Sequence, residues 1–129
     1  MEFTLIATFN TTAKKIYKAW LSTQGHSKMT GAPAFVSDKV GETFTTWDGY
    51  IQGTNKTLEP YQKIVQSWRT STFEDNEKDS QIEISLNEKD GTTELTLTHT
   101  NVPESGEHYK KGWDEHYFQP MKIYFKGDK

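Results

Sequence analysis

The sequence contains no cysteine among its 129 residues, which excludes disulfides, thiolate metal sites and cysteine nucleophiles. It also has no apolar run that approaches the ~20 residues of a membrane-spanning helix. The amino-terminal stretch MEFTLIATF has neither a basic segment nor the apolar core of a signal peptide. We therefore expect a cytoplasmic protein that does not interact with membranes.

The chain lacks a strong excess of either charge. It carries 15 Lys and Arg against 18 Asp and Glu, for a formal net charge of -3, and the two signs are interspersed. This balance gives no electrostatic footprint for nucleic acid or for an anionic membrane surface. At 129 residues the chain is most simply one domain, residues 1–129, which is large enough to bury a core.

The first 36 residues combine a strand, a helix and a less regular segment. Alternation in residues 2–10 predicts a half-buried strand. Thr11 or Thr12 can cap a helix that runs to about Ser22. Residues 23–34 are expected to be irregular, with a short helical turn near residues 27–29, and Phe35-Val36 could form a short strand.

A hairpin is predicted around Asp48-Gly49, which lies between two β-prone runs. This dipeptide accepts the positive φ angles of a two-residue type I′ turn. Strand parity places Phe44 and Ile51 on one face, and places Trp47 with Tyr50 on the other. Gly53 is interpreted as a bulge or a sharp bend in the second strand.

Three more strands follow, over residues 63–69, 81–87 and 92–99. Their inward faces are predicted to carry Ile64, Gln66, Trp68, Ile82, Ile84, Leu86, Leu95, Leu97 and His99.

A long helix is predicted over residues 105–125, with a kink at Pro120. At 100° per residue, its inward stripe contains Tyr109, Gly112, Trp113, His116, Tyr117, Pro120, Ile123 and Tyr124. Gly112 would allow close approach of a neighbouring backbone.

Two of the four histidines, His99 and His116, are predicted to face inward, whereas His26 and His108 are expected at the surface. The sequence has no HxH or HExxH spacing and no evident third ligand, so we expect no metal site. The inward pair could instead act as a general base, as polar anchors for a ligand or as hydrogen-bonded structural residues.

A series of motifs in a characteristic order covers nearly the whole chain. They are Phe9-Asn10-Thr11-Thr12, Ala32-Pro33-Ala34, Gly41-Glu42-Thr43-Phe44, Asp48-Gly49 with Gly53, Glu59-Pro60, Ile64-Val65, Trp68-Arg69, Thr93-Glu94-Leu95, Val102-Pro103, and Gly112-Trp113 with Tyr117-Phe118 and Phe125. Together they resemble the family homologous to the carboxy-terminal domain of the activator of the ninety-kilodalton heat-shock protein ATPase, within the START and SRPBCC superfamily.

The resemblance implies an α+β helix-grip fold. A strongly curved antiparallel sheet of about seven strands would wrap around the carboxy-terminal helix and leave a cavity between them. The eukaryotic co-chaperone has a separate amino-terminal domain that carries much of its chaperone contact, so we expect this chain to be a stand-alone domain. Superfamily members use the cavity for apolar ligands, but a fold alone does not fix function.

The first hypothesis is therefore a non-enzymatic binder of a small hydrophobic or amphipathic ligand, without a cofactor, acting as a monomer or weak homodimer. The residues predicted to contact the ligand are Phe44, Ile51, Trp68, Leu97, His99, Trp113, His116 and Tyr117. Ordinary core packing is the other interpretation of Trp68 and Trp113. The alternative function is a co-chaperone-like module that stimulates a heat-shock chaperone ATPase through an exposed face such as the Trp47–Tyr50 end of the hairpin.

Overall fold

The computed structural model describes residues 1–126 and contains one antiparallel six-stranded sheet in these residues. The strands are β1 (Phe3–Phe9), β2 (Thr43–Thr46), β3 (Ile51–Glu59), β4 (Lys63–Thr70), β5 (Ser80–Lys89) and β6 (Thr92–Thr100), in the spatial order β1-β6-β5-β4-β3-β2. The helices are α1 (Ala13–Trp20), α2 (Thr23–Thr30) and a long carboxy-terminal helix, α3, over residues 108–126, which follows a 3₁₀ turn at Glu104–Gly106.

The expected seventh strand at Phe35-Val36 is absent from the described residues. Phe35 forms only a single bridge with Thr45, through reciprocal backbone hydrogen bonds of 2.8 and 2.9 Å. Pairing cannot extend toward Pro33, because proline has no N–H to donate. On the other side the chain turns at once, with the Lys39 N–H bonded to the Ser37 hydroxyl.

The segment expected to be irregular contains a complete eight-residue helix, α2. The Ser22 hydroxyl caps it by accepting from the Gly25 N–H at 3.1 Å, and Gly31 ends it in the left-handed conformation at φ 82°. A capping serine and a terminal glycine nine residues apart were the available signals. The helix lacks the apolar periodicity that identified α1, which is why the sequence did not predict it.

The β2–β3 turn has Asp48 and Gly49 at its centre, both with positive φ, and the Tyr50 N–H donates to the Trp47 carbonyl at 3.1 Å. The predicted turn residues are therefore confirmed. Strand pairing, however, ends at Thr46 opposite Ile51, so the connection is four residues long rather than two.

Of the two features predicted at Gly53, a bulge or a sharp bend, the bulge is not found there. The register shift in β3 lies between Asn55 and Thr57. At Gly53 the chain comes so close to β4 that an added Cβ would lie 1.9 Å from the Ser67 carbonyl oxygen. The glycine is required by this close approach, whereas the irregularity of the strand lies two residues further on.

The helix α3 is not α-helical throughout. Between α-helical His108–Trp113 and Gln119–Lys126 lies a π-helical turn, Asp114–Phe118, in which the Gln119 N–H donates to the Asp114 carbonyl five residues back. The turn inserts one residue and rotates everything beyond it. Pro120, where the sequence predicts a kink, lies two residues beyond this turn.

This rotation corrects the predicted inward stripe. The buried side chains of α3 are Tyr109, Trp113, Tyr117, Phe118, Met121 and Phe125, whereas Ile123 and Tyr124 are 75% and 43% exposed. Before the π-turn, the buried residues of α3 follow the expected 100° spacing. After it, each buried position lies one residue later in the sequence than this spacing predicts.

The core lies between α3 and the concave face of the sheet. Most predicted inward residues of the central strands are buried there, with Ile84, Leu95, Leu97 and His99 all fully inaccessible to solvent, whereas Leu86 is only half-buried. The α+β helix-grip architecture is thus present with six strands. No helix within residues 1–126 is long and apolar enough to cross a bilayer.

Candidate functional site

A cavity of about 480 Å³ lies between the β2–β3 hairpin, β4 and the first half of α3. Its lining residues are Trp47, Tyr50, Ile51, Trp68, His108, Tyr109, Lys111, Gly112, Trp113, Glu115, His116 and Tyr117. This volume is within the range of small-molecule sites, ~300–1,000 Å³. Six of these side chains are Trp or Tyr, so the walls are mainly aromatic with hydroxyl and indole groups among them.

Two rows of α3 form one side of the cavity, because residues four apart stack along a helix. Tyr109, Trp113 and Tyr117 make the buried row, and His108, Gly112 and His116 make the neighbouring row at the rim. Lys111 and Glu115 flank the rim and form an exposed ion pair at 3.4 Å.

The structure brings five of the eight predicted ligand-contact residues together around the cavity: Ile51, Trp68, Trp113, His116 and Tyr117. The other three, Phe44, Leu97 and His99, are buried in the core and do not line it. Ligand contact by any of the eight residues remains a prediction.

His99 lies behind the cavity wall with both ring nitrogens engaged. The Trp113 indole N–H donates to its Nδ1 at 3.1 Å, so its Nε2 carries the proton and donates to the Ser80 hydroxyl at 2.8 Å. That hydroxyl donates to the Trp68 carbonyl at 2.7 Å. Burial lowers the pKa of His99 to about 3, so the ring is neutral and positions Trp113.

His26, expected at the surface, is instead 1% exposed. Its Nδ1 lies 2.8 Å from the Trp20 carbonyl and must carry the proton, because a carbonyl oxygen can only accept. Its Nε2 then accepts from the Tyr117 hydroxyl at 2.8 Å. Burial lowers the pKa of His26 to about 4, although the bond to the Trp20 carbonyl acts in the opposite direction. The sequence predicts His26 at the surface because it lies on α2, the helix that the sequence did not predict.

Tyr117 connects this network to the cavity. Its hydroxyl also lies 3.2 Å from the Thr46 hydroxyl, and a tyrosine hydroxyl has one proton for the two neighbours. Burial raises the pKa of Tyr117 well above the usual range, against the smaller opposing effects of hydrogen bonding with Thr46 and Trp47. The side chain is therefore a neutral, fixed part of the wall.

The other two histidines are exposed. This was expected for His108 but not for His116, which lies at the rim with its ring edge-on to Trp47 at a centroid distance of 5.4 Å. Among residues 1–126, no group of three His, Asp or Glu side chains is arranged to hold a metal ion.

The indole nitrogen of Trp47 is buried without a hydrogen bond of normal geometry, and it is the one such side-chain atom in the described part of the chain. It lies near enough to the Tyr117 hydroxyl to affect the pKa of that group, but the two groups are not in hydrogen-bond geometry. Trp47 also has a left-handed backbone, with φ 54°. A strained residue with an unsatisfied donor thus lies in the cavity wall.

The sequence matches the family model described as Activator of Hsp90 ATPase homolog 1-like protein over residues 10–126. The chain belongs to this family. A human relative, "Activator of 90 kDa heat shock protein ATPase homolog 1", is 28% identical over 125 residues, which are 96% of this chain and 37% of the human protein. A Dictyostelium discoideum activator homologue is 34% identical over 88 residues, 66% of this chain and 22% of that protein. The chain thus spans little more than a third of its human relative.

Solved structures of other proteins have the same fold. An HSP90 activator from Plasmodium falciparum superposes with a TM-score of 0.89 at 22% identity, covering 98% of this chain and 96% of that one. The Aha1 dimer from Colwellia psychrerythraea has a TM-score of 0.75 at 18% identity, with 88% of each chain covered. At these identities the similarity establishes the fold and not the activity.

In this Activator of Hsp90 ATPase homolog 1-like domain, the predicted contact set omitted several cavity residues. Tyr109 and Gly112 were on the predicted stripe of α3, and Trp47 and Tyr50 were assigned to a partner surface. The sequence contains no signal that Lys111 or Glu115 lines a cavity, since both lie off that stripe and are typical of an exposed helix face.

Proposed function

We propose that this domain binds a small apolar or amphipathic ligand, without catalysing its conversion, in the cavity between the hairpin and α3. The observation that carries the proposal is the aromatic lining of a cavity of about 480 Å³. Aromatic walls supply apolar contact area together with a few oriented donors, which is the usual composition of a small-molecule site.

The two buried histidines are poorly suited to catalysis. A general base needs a titratable group with a suitable pKa close to the reacting atom. His26 and His99 are neutral, have their ring nitrogens occupied by the protein, and have pKa values lowered to about 4 and about 3. Both are therefore better suited to fixing Tyr117 and Trp113 than to moving protons.

The test combines native mass spectrometry of the purified protein with a titration of apolar compounds followed by NMR. Three of the four indole N–H signals belong to cavity residues, Trp47, Trp68 and Trp113, and these should shift. The backbone amide of Ile6, an exposed residue of β1, is the internal control and should not. If no ligand co-purifies and no compound moves the three indole signals, the proposal is wrong.

A second candidate is stimulation of a heat-shock chaperone ATPase. The supporting observation is that the Plasmodium falciparum chain described as an HSP90 activator is covered to 96% by this fold. An exposed apolar surface exists at the hairpin end, where Phe35 is 71% and Tyr50 36% exposed, and the Pro33 carbonyl accepts from the Asp48 N–H.

A chaperone ATPase assay tests this candidate with a matched pair of variants. Phe35→Ala should reduce stimulation, whereas Ile123→Ala removes an equally exposed apolar side chain from α3 (75% exposed) and should not. An unchanged ATPase rate at saturating wild-type protein would exclude the candidate. We further propose that the protein is cytoplasmic and that it is a monomer or weak homodimer. Analytical ultracentrifugation over a range of concentrations would test the oligomeric state.

A further inference from the structure

Gly112 is a glycine that the fold does not require. It lies inside the α-helical part of α3, where glycine is the least favourable residue after proline. Its φ is not positive, unlike those of Gly31, Gly41, Gly49 and Gly91. The backbone conformation therefore gives no reason for its presence.

Packing gives no reason either. At the three other glycines without positive φ within residues 1–126, an added Cβ would meet a neighbour closer than 3.0 Å: Ala19 Cα at 2.8 Å from Gly25, Ser67 O at 1.9 Å from Gly53 and Val102 Cγ1 at 2.7 Å from Gly106. At Gly112 the nearest atom is His116 Cδ2, at 4.0 Å. The close backbone approach expected from the sequence is not observed. What Gly112 does face is the cavity, which it lines.

The surroundings of Gly112 indicate what could occupy this space. Trp47, Tyr50, Trp68, Tyr109, Trp113 and Tyr117 surround the cavity, and aromatic side chains pack favourably, stacked or edge-on, against flat ring systems. The bare helix backbone at Gly112 leaves room for such a ring to lie against α3.

The rim supplies the polar end of the site. His108, Lys111 and His116 are basic groups there, against the single acid Glu115. The Lys111–Glu115 ion pair is exposed, with side-chain accessibilities of 81% and 49%, and exposed pairs of this kind are weak. A ligand carboxylate or sulfonate could therefore engage the Lys111 ammonium in place of Glu115.

We propose that Gly112 is a specificity-determining residue of the cavity, and that the ligand is a flat aromatic or conjugated molecule with one acidic group, its ring against Gly112 and its acid at Lys111. This inference rests on the proposed ligand-binding function. Filling the space at Gly112 with a side chain should therefore stabilise α3 and at the same time weaken ligand binding.

The experiment titrates two fluorescent probes that share a ring system: anilinonaphthalenesulfonate, which is acidic, and N-phenylnaphthylamine, which is uncharged. The variants are Gly112→Ala, Lys111→Gln and, as the control on the exposed side of α3, Lys122→Ala. Wild-type protein should bind both probes saturably and the sulfonate more tightly. Gly112→Ala should weaken both by at least about fivefold, as expected for overpacking, and should raise Tm by about 3 °C.

Lys111→Gln should remove the preference for the sulfonate while leaving the neutral probe unchanged, and Lys122→Ala should alter neither. If Gly112→Ala binds both probes like the wild type, or if it lowers Tm, the role of Gly112 is disproved while ligand binding stands. If the wild type shows no preference for the sulfonate, the acidic ligand class is wrong. If the wild type binds neither probe, the ligand-binding function fails, and this inference fails with it.

Discussion

The indole N–H of Trp113 donates to Nδ1 of His99 at 3.1 Å, which joins a cavity-wall residue of α3 to a fully buried residue of β6. The bond fixes the tautomer of His99 and, through Ser80, ties α3 to the backbone of β4. Every donor in this chain of bonds has an acceptor. The sheet and the helix are therefore connected by oriented hydrogen bonds as well as by apolar contact.

His99→Gln tests this connection. Glutamine cannot replace both ring nitrogens at their positions, so one buried partner, Trp113 or Ser80, loses its bond. We expect a loss of about 1–3 kcal/mol in the free energy of unfolding, measured by urea denaturation. His108→Gln, at an exposed histidine, is the control and should change stability by less than about 0.5 kcal/mol. Equal effects of the two substitutions would contradict the proposed network.

Stability should fall as the pH is lowered through the titration range of free histidine. His26 and His99 have folded-state pKa values of about 4 and about 3, whereas an unfolded histidine has a pKa of ~6.5. Below ~6.5 the unfolded chain binds protons that the folded chain excludes, so acid favours unfolding. The stability contributed by the two neutral histidines is present in full above pH 6.5. It is lost as the pH falls toward their folded-state pKa values of about 4 and about 3.

Each of these histidines should contribute about 1.4 kcal/mol per pH unit between roughly pH 6 and pH 4. Urea unfolding at pH 7, 6 and 5 measures the slope. In His99→Gln the slope between pH 6 and pH 5 should decrease by about 1.4 kcal/mol per unit, whereas in His108→Gln it should stay as in the wild type. Identical slopes in all three proteins would show that His99 is not buried in its neutral form.

The sequence predicted what local periodicity determines. Alternation located β1, β5 and β6, and the inward residues of β6, Leu95, Leu97 and His99, are all inaccessible. Asp48-Gly49 located the hairpin, because few dipeptides accept two successive positive φ angles. These features depend on neighbours within a few residues along the chain.

Features set by contacts between distant segments were not predictable in the same way. Gly53 is required by the Ser67 carbonyl of the adjacent strand, which strand periodicity cannot reveal. His26 is buried because α2 packs against α3 and Tyr117 supplies its partner. For the cavity, the sequence located the aromatic residues before the π-turn, but it could not distinguish His99, behind the wall, from Trp113 within it.

The rotation introduced by the π-turn is tested by comparing Met121 with Ile123. Continuous 100° spacing predicts Ile123 inward, whereas the structure has Met121 fully buried and Ile123 75% exposed. Met121→Ala should therefore cost about 2–5 kcal/mol through the cavity it creates, and Ile123→Ala less than about 0.5 kcal/mol. Urea denaturation measures both. The reverse order would mean that α3 continues as a regular α-helix through residues 114–118.

The unsatisfied indole of Trp47 leads to a comparison with Trp113. Replacing either tryptophan by phenylalanine removes the same atoms, but only Trp113 has an indole N–H bonded to a buried acceptor, Nδ1 of His99. Removing that donor leaves the acceptor unpaired, which costs about 1–3 kcal/mol. At Trp47 the substitution removes a donor that has no partner of normal geometry, so the polar contribution should be near zero or favourable.

We therefore expect Trp113→Phe to destabilise the protein by about 1–3 kcal/mol more than Trp47→Phe, with urea unfolding as the measurement. The NMR signal of the His99 ring supplies a specific readout, since its Nδ1 shift should change in Trp113→Phe and remain in Trp47→Phe. A larger loss of stability at Trp47 would mean that its N–H does form a strong bond in solution. The Tyr117 hydroxyl, whose pKa Trp47 affects, would then be the acceptor, and Trp47 would belong to the His26–Tyr117 network.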